Sequence, residues 1–253
     1  MQIQYERLTD SQWEVMADFL PVKRKRQTNL RDVVDAIRWI VRTGIQWRNL
    51  DDRFPKWTCV TYYFYKWQVD GTLEAMNVGL NILERMALDK NPEPLLLCVD
   101  SQSVKSTPFV SQCKGIDGNK RINGRKRQVM VDTLGLVWAV VVHAANESDA
   151  KMGCELLKRS TRVLKPIAKI LVDGGYQGDF FEVAKELLEA EVEISSKPPS
   201  AKGFVPVKWR WVSERTFGWF NFFRRLSKDY EKTVESSAAM ILWANCQIII
   251  SNW

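Results

Sequence analysis

The sequence predicts an α/β fold, a mixed sheet with flanking helices, preceded by an all-helical N-terminal domain. Residues 1–90 carry apolar side chains at helical spacing. After the proline-containing break at 91–94, apolar runs of strand length alternate with helical patterns. The chain has 253 residues, 45% of them hydrophobic, which is enough to bury a core. We therefore expect two domains, residues 1–90 and 95–253.

Four helices are expected in the N-terminal domain. Thr9 and Gln12 are spaced as a capping box at the start of the first helix. Gly44 is placed to end the second helix, and Gly71 the third. The predicted helices cover approximately residues 9–20, 29–43, 58–71 and 72–89.

The second domain is expected to begin with a strand over residues 95–100, and another buried strand follows at 168–173. Both are continuous apolar runs, which are typical of strands buried on two faces. Two β-rich runs around the tight turn at 133–135 indicate a hairpin. The remaining predictions are a short strand at 192–195, a basic loop insertion near 196–211, and helices near 148–164, 179–190, 213–226 and 236–250.

Both buried strands end in an aspartate, Asp100 and Asp173. Functional sites of α/β sheets lie at the carboxyl ends of strands, so the two residues suggest one shared site. The alternative is that each aspartate only serves the turn that follows it. Adjacent carboxylates repel unless a cation lies between them, and oxygen ligands suit Mg²⁺ or Mn²⁺. Two such ions can promote phosphodiester chemistry.

A third carboxylate is available in the basic C-terminal region. Glu214 is the only acidic residue between positions 194 and 228. It could equally be an ion-pair partner or a favourable charge in the first turn of a helix. Three other acids are interpreted as local structure, two in turns and one as a helix N-cap; they are Asp117, Asp132 and Asp149.

The net charge of +7 is concentrated in two segments. Residues 114–127 carry a net charge of +5 and residues 197–232 carry +6. Such segments suit a polyanion, because neutralising phosphates releases condensed counterions. A solvated basic surface is the alternative.

Several functional classes are excluded by composition. The single histidine, His143, rules out a metal site built from histidines, and we interpret it as structural. Residues 174–178 lack the Lys-Ser/Thr pair of a nucleotide P-loop. No apolar run approaches the length of a membrane span. Five cysteines without a CxxC pair indicate a reducing compartment, so we expect a cytoplasmic protein.

Six segments covering nearly the whole chain resemble bacterial insertion-sequence DDE transposases of the fourth and fifth insertion-sequence groups. They are LTDSQWEVMADFLP (8–21), GIQWRNLDDRFPKWTCVTYYFYKW (44–67), VDSQSVKS (99–106), GNKRINGRKRQVMVDTLGLVWAV (118–140), LVDGGYQG (171–178) and ERTFGWFNFFRRLSKDYE (214–231).

This resemblance implies a ribonuclease-H-like catalytic core in residues 95–253. It implies that Asp100, Asp173 and Glu214 are both the catalytic residues and the metal ligands, with two Mg²⁺ ions for which Mn²⁺ can substitute. Arg210 lies four residues before Glu214, as the signature around the third acid requires. The tyrosine and lysine of that signature are replaced by Val207 and Asn221.

The resemblance also implies DNA partners, both the terminal inverted repeats of a mobile element and target DNA. A helix of residues 1–90 is expected to read the repeats in the major groove. Because two ends must be joined, a homodimer or larger assembly is expected on DNA, with the bacterial protein nucleoid-associated when bound. The candidates for DNA-backbone contacts are Arg125, Lys126, Arg127, Arg210, Arg215, Arg224, Arg225 and Lys228.

The function expected is metal-dependent cleavage at the element ends and transfer of the freed 3′ ends to target DNA. Two alternatives stay open at this point. One is an element-derived DNA-binding protein without activity, and the other is a metal-dependent nuclease that does not transfer strands.

Overall fold

The computed structural model describes residues 6–22, 27–164, 167–195 and 210–253. Within these ranges the helices are α1 (Asp10–Ala17), α2 (Leu30–Thr43), α3 (Trp57–Val69), α4 (Thr72–Ala87), α5 (Asp149–Ser160), α6 (Asp179–Leu188), α7 (Arg210–Phe220) and α8 (Val234–Ile250). The strands are β1 (Leu96–Lys105), β2 (Gly115–Asp117), β3 (Ile122–Asp132), β4 (Val137–Ala144), β5 (Lys169–Val172) and β6 (Glu191–Ile194). Most of the loop predicted at 196–211 lies outside the described residues.

The six strands form one mixed sheet, as predicted. β1 is central, antiparallel to β3 on one side and parallel to β5 on the other, and β6 continues the parallel half. β4 and the short β2 both pair with β3 in antiparallel fashion, so the predicted β3–β4 hairpin is confirmed. No helix in the described ranges is both long and apolar enough to cross a membrane.

The two faces of the sheet contact different helices. Leu97 and Val99 of β1 belong to the apolar layer formed with α5 and α6. Cys98, between them, belongs to the other layer, which contains α7, α8 and the N-terminal helices. This alternation follows from the two-residue period of a strand.

The N-terminal helices do not have a separate core. Buried side chains of α2, α3 and α4 form one continuous apolar cluster with α8 and with β4. The Trp67 and Trp243 rings lie 6.0 Å apart across this contact. Asn77 and Asn81 of α4 each donate a hydrogen bond of 2.8 Å to the Val137 carbonyl. The described parts of residues 1–90 and 95–253 thus share one apolar core, and the division into two domains stays a prediction.

Local signals placed several helix ends correctly. The Thr9 hydroxyl accepts a hydrogen bond from the Gln12 amide, and the Gln12 side chain accepts one from the Thr9 amide, so the capping box is confirmed. Gly44 ends α2 with φ of +71°, in the left-handed region that glycine favours. β1 extends five residues beyond its predicted end at Asp100. The second half of this strand is mostly polar, so the apolar pattern does not mark it, and its pairing with β3 defines it instead.

Candidate active site

Asp100 and Asp173 lie side by side at the end of the parallel pair of strands. β1 and β5 pair with Leu96 opposite Lys169, a separation of 73 residues along the chain. Asp100 and Asp173 are also 73 residues apart, so extending the same register places them opposite each other on the two neighbouring strands. Neighbouring strands lie about 4.8 Å apart. The two aspartates line one small pocket, which confirms that they share an edge of the sheet.

Both aspartates face the side of the sheet that α7 covers. Cys98 and Leu171, two residues before each aspartate, belong to the same apolar layer as Val212 of α7. Since side chains alternate along a strand, residues two apart point to the same face. The strand pattern therefore directs both carboxylates toward the helix that carries Glu214.

Backbone groups help to orient the two carboxylates, which are both half-buried. The Ser101 amide donates a 2.7 Å hydrogen bond to Asp100 Oδ1. The Gly175 amide donates a 2.8 Å hydrogen bond to Asp173 Oδ1, in the turn after β5. These contacts restrict the side chains before any ligand arrives, and they also confirm the turn role that was considered as an alternative for Asp173.

Glu214 is adjacent to this pocket, but its side chain does not line it together with the two aspartates. Ser213, its neighbour on α7, lines the pocket together with both aspartates, whereas Glu214 is exposed. Within the described ranges, no three His, Cys, Asp or Glu side chains are close enough together to hold a metal ion. The structure thus brings Asp100 and Asp173 together and leaves Glu214 on the flanking helix.

The turn between β3 and β4 anchors α7. The Thr216 hydroxyl donates to the Gly135 carbonyl at 3.0 Å, and Arg215 donates to the Leu134 carbonyl at 2.8 Å. The Arg215 guanidinium lies between two aromatic rings, 4.5 Å from the centre of Trp211 and 4.7 Å from that of Trp219. These contacts fix the helix within two residues of Glu214.

Two protonatable neighbours stay neutral at pH 7. Burial is the main cause that raises the pKa of the Cys98 thiol to about 12, and the charges of Asp132 and Asp100 add to it. Burial also raises the pKa of the Tyr176 hydroxyl well above its usual value, with further contributions from nearby carboxylates including Asp173. Neither group therefore adds a negative charge beside the two aspartates.

The sequence comparisons identify the family. A family model described as "Transposase DDE domain" matches residues 91–249, more than half of the chain. The chain belongs to the DDE transposase family. A second model, described as "Putative transposase of IS4/5 family", matches residues 8–77. An uncharacterized protein of Sinorhizobium fredii, y4sN, is 37% identical over 84 residues, which is 32% of this chain and 65% of that protein's length.

Two of the basic residues predicted to contact DNA are buried in the transposase. Arg125 is 0% exposed and Arg127 is 1% exposed. The Arg125 guanidinium donates to Asp229 Oδ2 and to backbone carbonyls, including those of Gln112 and Lys232 at 2.8 and 3.0 Å. Arg127 donates to the Leu226 carbonyl at 2.7 Å. The prediction was wrong for both, because their donors are used to hold the C-terminal segment on β3.

The prediction of DNA contact was also wrong for Lys126 and Arg225, because both side chains are buried and already bonded. Lys126 is buried and donates to Asp149 Oδ1 at 3.1 Å, on the opposite face of β3. Arg225 is buried and forms an ion pair with Glu231 at 2.7 Å.

The other basic candidates have different environments. Arg215 is half-buried and serves the anchor of α7 described above. Arg224 and Lys228 are exposed, so they remain candidates for DNA contact. The side chain of Arg210 lies outside the described residues.

The acids and the histidine that were interpreted as structural are in structural positions. Asp117 and Asp132 each accept backbone hydrogen bonds in a turn, and Asp132 also forms a buried ion pair with Arg85 at 2.6 Å. Asp149 was predicted as a helix N-cap, but Ser148 occupies that position, and Asp149 begins α5. Burial lowers the pKa of His143, whose Nδ1 lies 2.9 Å from a backbone carbonyl.

Sequence reasoning missed Ser195 and Ser213, which line the pocket beside the aspartates. Ser195 directly follows β6, as Asp173 follows β5, and its amide donates to the Val172 carbonyl at 2.8 Å. The rule that strand ends meet at one edge would have found it. Ser213 could be found only through its adjacency to Glu214.

Proposed function

We propose that this transposase cleaves DNA at the ends of a mobile element and transfers the freed 3′ ends to target DNA. Asp100, Asp173 and Glu214 would be its ligands for divalent metal ions. The main support for this proposal is the position of the two aspartates. They lie opposite each other on adjacent parallel strands, on the face that the helix of Glu214 covers.

The residues present fit a hard divalent cation. The pocket offers carboxylate oxygens, which Mg²⁺ prefers and Mn²⁺ accepts. When bound, a pair of such ions supplies activation of the attacking oxygen and stabilisation of the leaving oxygen of a phosphodiester.

The chain itself orients the reactants. Asp100 and Asp173 are pre-oriented by backbone amides, which reduces the entropic cost of assembling the site. Glu214 completes the ligand set by turning toward the pocket that Ser213 already lines. The exposed Arg224 and Lys228 contact DNA phosphates, and a helix of the N-terminal region reads the element ends. Two or more copies assemble so that both ends are joined.

The test is cleavage of a labelled element-end duplex and its joining to target plasmid, measured with Mg²⁺ and with Mn²⁺. We expect Asp100→Asn, Asp173→Asn and Glu214→Gln each to lower the cleavage rate at least about 100-fold, since a metal contact contributes several kcal/mol. Asp179→Asn is the matched control, because Asp179 is an exposed acid outside the pocket. It should cleave like the wild type.

Each other outcome has a defined meaning. Equal cleavage by wild type and Asp100→Asn would reject the proposed ligand set. Binding to element ends without cleavage by the wild type in either metal would indicate an inactive DNA-binding protein. Cleaved ends that never join target DNA would indicate a nuclease.

A further inference from the structure

One end of the sheet extends beyond the aspartate pair. β5 stops at Val172, whereas β1 continues to Lys105, which pairs with Gly124 of β3. The C-terminal segment covers this end, since the Asp229 amide donates to the Lys105 carbonyl at 2.9 Å and the Thr107 amide donates back to the Asp229 carbonyl at 2.9 Å. We call residues 105–121 and 228–232 the basic end.

The cations of the basic end face solvent. None of them forms an ion pair with a carboxylate in the described part of the chain, whereas exposed cations elsewhere are often paired, as Lys66 is with Asp70 at 2.7 Å. Asn146 packs against Gly115 of the basic end, so the next residue, Glu147, is a nearby acid. Glu147 already forms an ion pair with Lys151 at 2.9 Å. The exposed cations of the basic end are Lys105, Lys114, Lys120, Arg121, Lys228 and Lys232.

The acids of the same two segments point inward. Asp117, Asp229 and Glu231 are 5%, 1% and 6% exposed. Asp117 accepts backbone amides of its own turn, while the other two pair with Arg125 and Arg225. Cations outside and acids inside give this surface a strongly positive field, which complements a polyanion.

We propose that the basic end binds the sugar–phosphate backbone of duplex DNA whose neighbouring phosphodiester lies at Asp100 and Asp173. This inference rests on the proposed function for its choice of polyanion. Lys105 lies five residues past Asp100 on β1, roughly 17 Å at the rise of a strand. That distance corresponds to about five base pairs of B-DNA. Phe109, 88% exposed beside these cations, is available for contacts with sugars or bases.

The test measures binding of a random-sequence duplex of about 30 base pairs by fluorescence anisotropy, in EDTA, over a series of salt concentrations. Each phosphate contact contributes about 0.9 to the slope of log K against log salt. We expect Lys120→Ala/Arg121→Ala and Lys228→Ala/Lys232→Ala each to reduce that slope by up to about 1.8. Lys90→Ala/Lys185→Ala removes the same charge from exposed positions elsewhere and should leave the slope unchanged.

Wild-type slopes in both basic-end variants, or an equal loss in the control, would overturn the inference. Tighter binding of an RNA duplex than of the DNA duplex would also overturn it. Because the assay contains no metal, it measures binding without cleavage. A protein that cleaves DNA but shows no basic-end effect therefore refutes this inference and the phosphate contact proposed for Lys228, but not the proposed catalysis. A protein that shows the effect but never cleaves refutes the proposed catalysis instead.

Discussion

At the scale of single residues, the basic segment 114–127 divides into two groups with different roles. Lys114, Lys120 and Arg121 are exposed, whereas Arg125 and Arg127 are buried and bonded to the C-terminal segment. Charge alone predicted one DNA-binding run. The position of each residue on or beyond β3 decides which arginines hold the fold and which are available to a partner.

Replacing Arg125 by alanine should therefore destabilise the protein, by at least about 3 kcal/mol, because it leaves Asp229 buried without its cation. Urea denaturation gives the free energy of unfolding. Arg121→Ala, four residues away and exposed, is the control and should change stability by no more than about 0.5 kcal/mol. Similar values for the two variants would contradict a structural role for Arg125.

The only histidine makes stability depend on pH. Burial lowers the pKa of His143 in the folded state, and the charge of Lys126 adds to this effect, although Asp149 and Glu147 oppose it. A lowered pKa favours the neutral ring in the folded protein, so its contribution is present above about pH 6.5 and is lost as the pH falls through the folded-state pKa. Wild type should lose more stability than His143→Gln between pH 7.5 and 5.5, measured by urea denaturation; parallel pH profiles would contradict this.

At the scale of elements, α7 depends on a turn that is distant in sequence. Gly135 has φ of +87°, and a Cβ there would lie 2.8 Å from Thr216 Oγ1 and 2.9 Å from the Trp219 ring. The same turn accepts the hydrogen bonds that anchor the helix of Glu214. The position of a candidate metal ligand is thus linked to a glycine on another element.

Gly135→Ala should lower the free energy of unfolding by about 1–3 kcal/mol, since the left-handed backbone is strained for alanine. It should also reduce cleavage, because α7 can no longer dock closely. Gly118→Ala provides the comparison: a Cβ at Gly118 would meet no atom within 4 Å, and the φ of this glycine is not in the positive range. If the two alanine variants unfold at the same urea concentration, the turn does not anchor the helix.

At the scale of the whole molecule, the N-terminal helices complete the core of the catalytic region. Asn245 of α8 donates to the side chains of Asn77 and Asn81 at 2.7 and 3.0 Å, and its own oxygen accepts the Val137 amide. These buried polar groups are satisfied only when both regions are folded together. The N-terminal helices are therefore packed directly against the helix and strand that complete the sheet region.

We expect the full chain to unfold in one cooperative transition. Tryptophan fluorescence, which reports on Trp67 and Trp243 in the shared core, should follow the same urea curve as far-UV circular dichroism. Two separated transitions would show that the regions are independent domains after all.

Sequence patterns predicted the elements that depend on local features, such as continuous apolar runs. The apolar runs before Asp100 and Asp173 gave the two central strands, and their level pairing followed from the parallel register. The patterns could not give β2, which has three residues and is held by pairing with β3. They predicted the apolar faces of α2 and α4, but they could not predict that these faces pack against α8. Contacts between distant segments of the chain do not appear in the local sequence pattern.

Three carboxylates distant in sequence are proposed to bind divalent metal together. Calorimetric titration of Mn²⁺ into the full chain, in the presence of duplex DNA, measures this binding. We predict saturable binding that Asp100→Asn and Asp173→Asn abolish and that Glu214→Gln weakens at least tenfold, while Asp179→Asn binds like the wild type. Unchanged Mn²⁺ affinity in Glu214→Gln would remove Glu214 from the site, and unchanged affinity in the aspartate variants would show that the pocket is not a metal site.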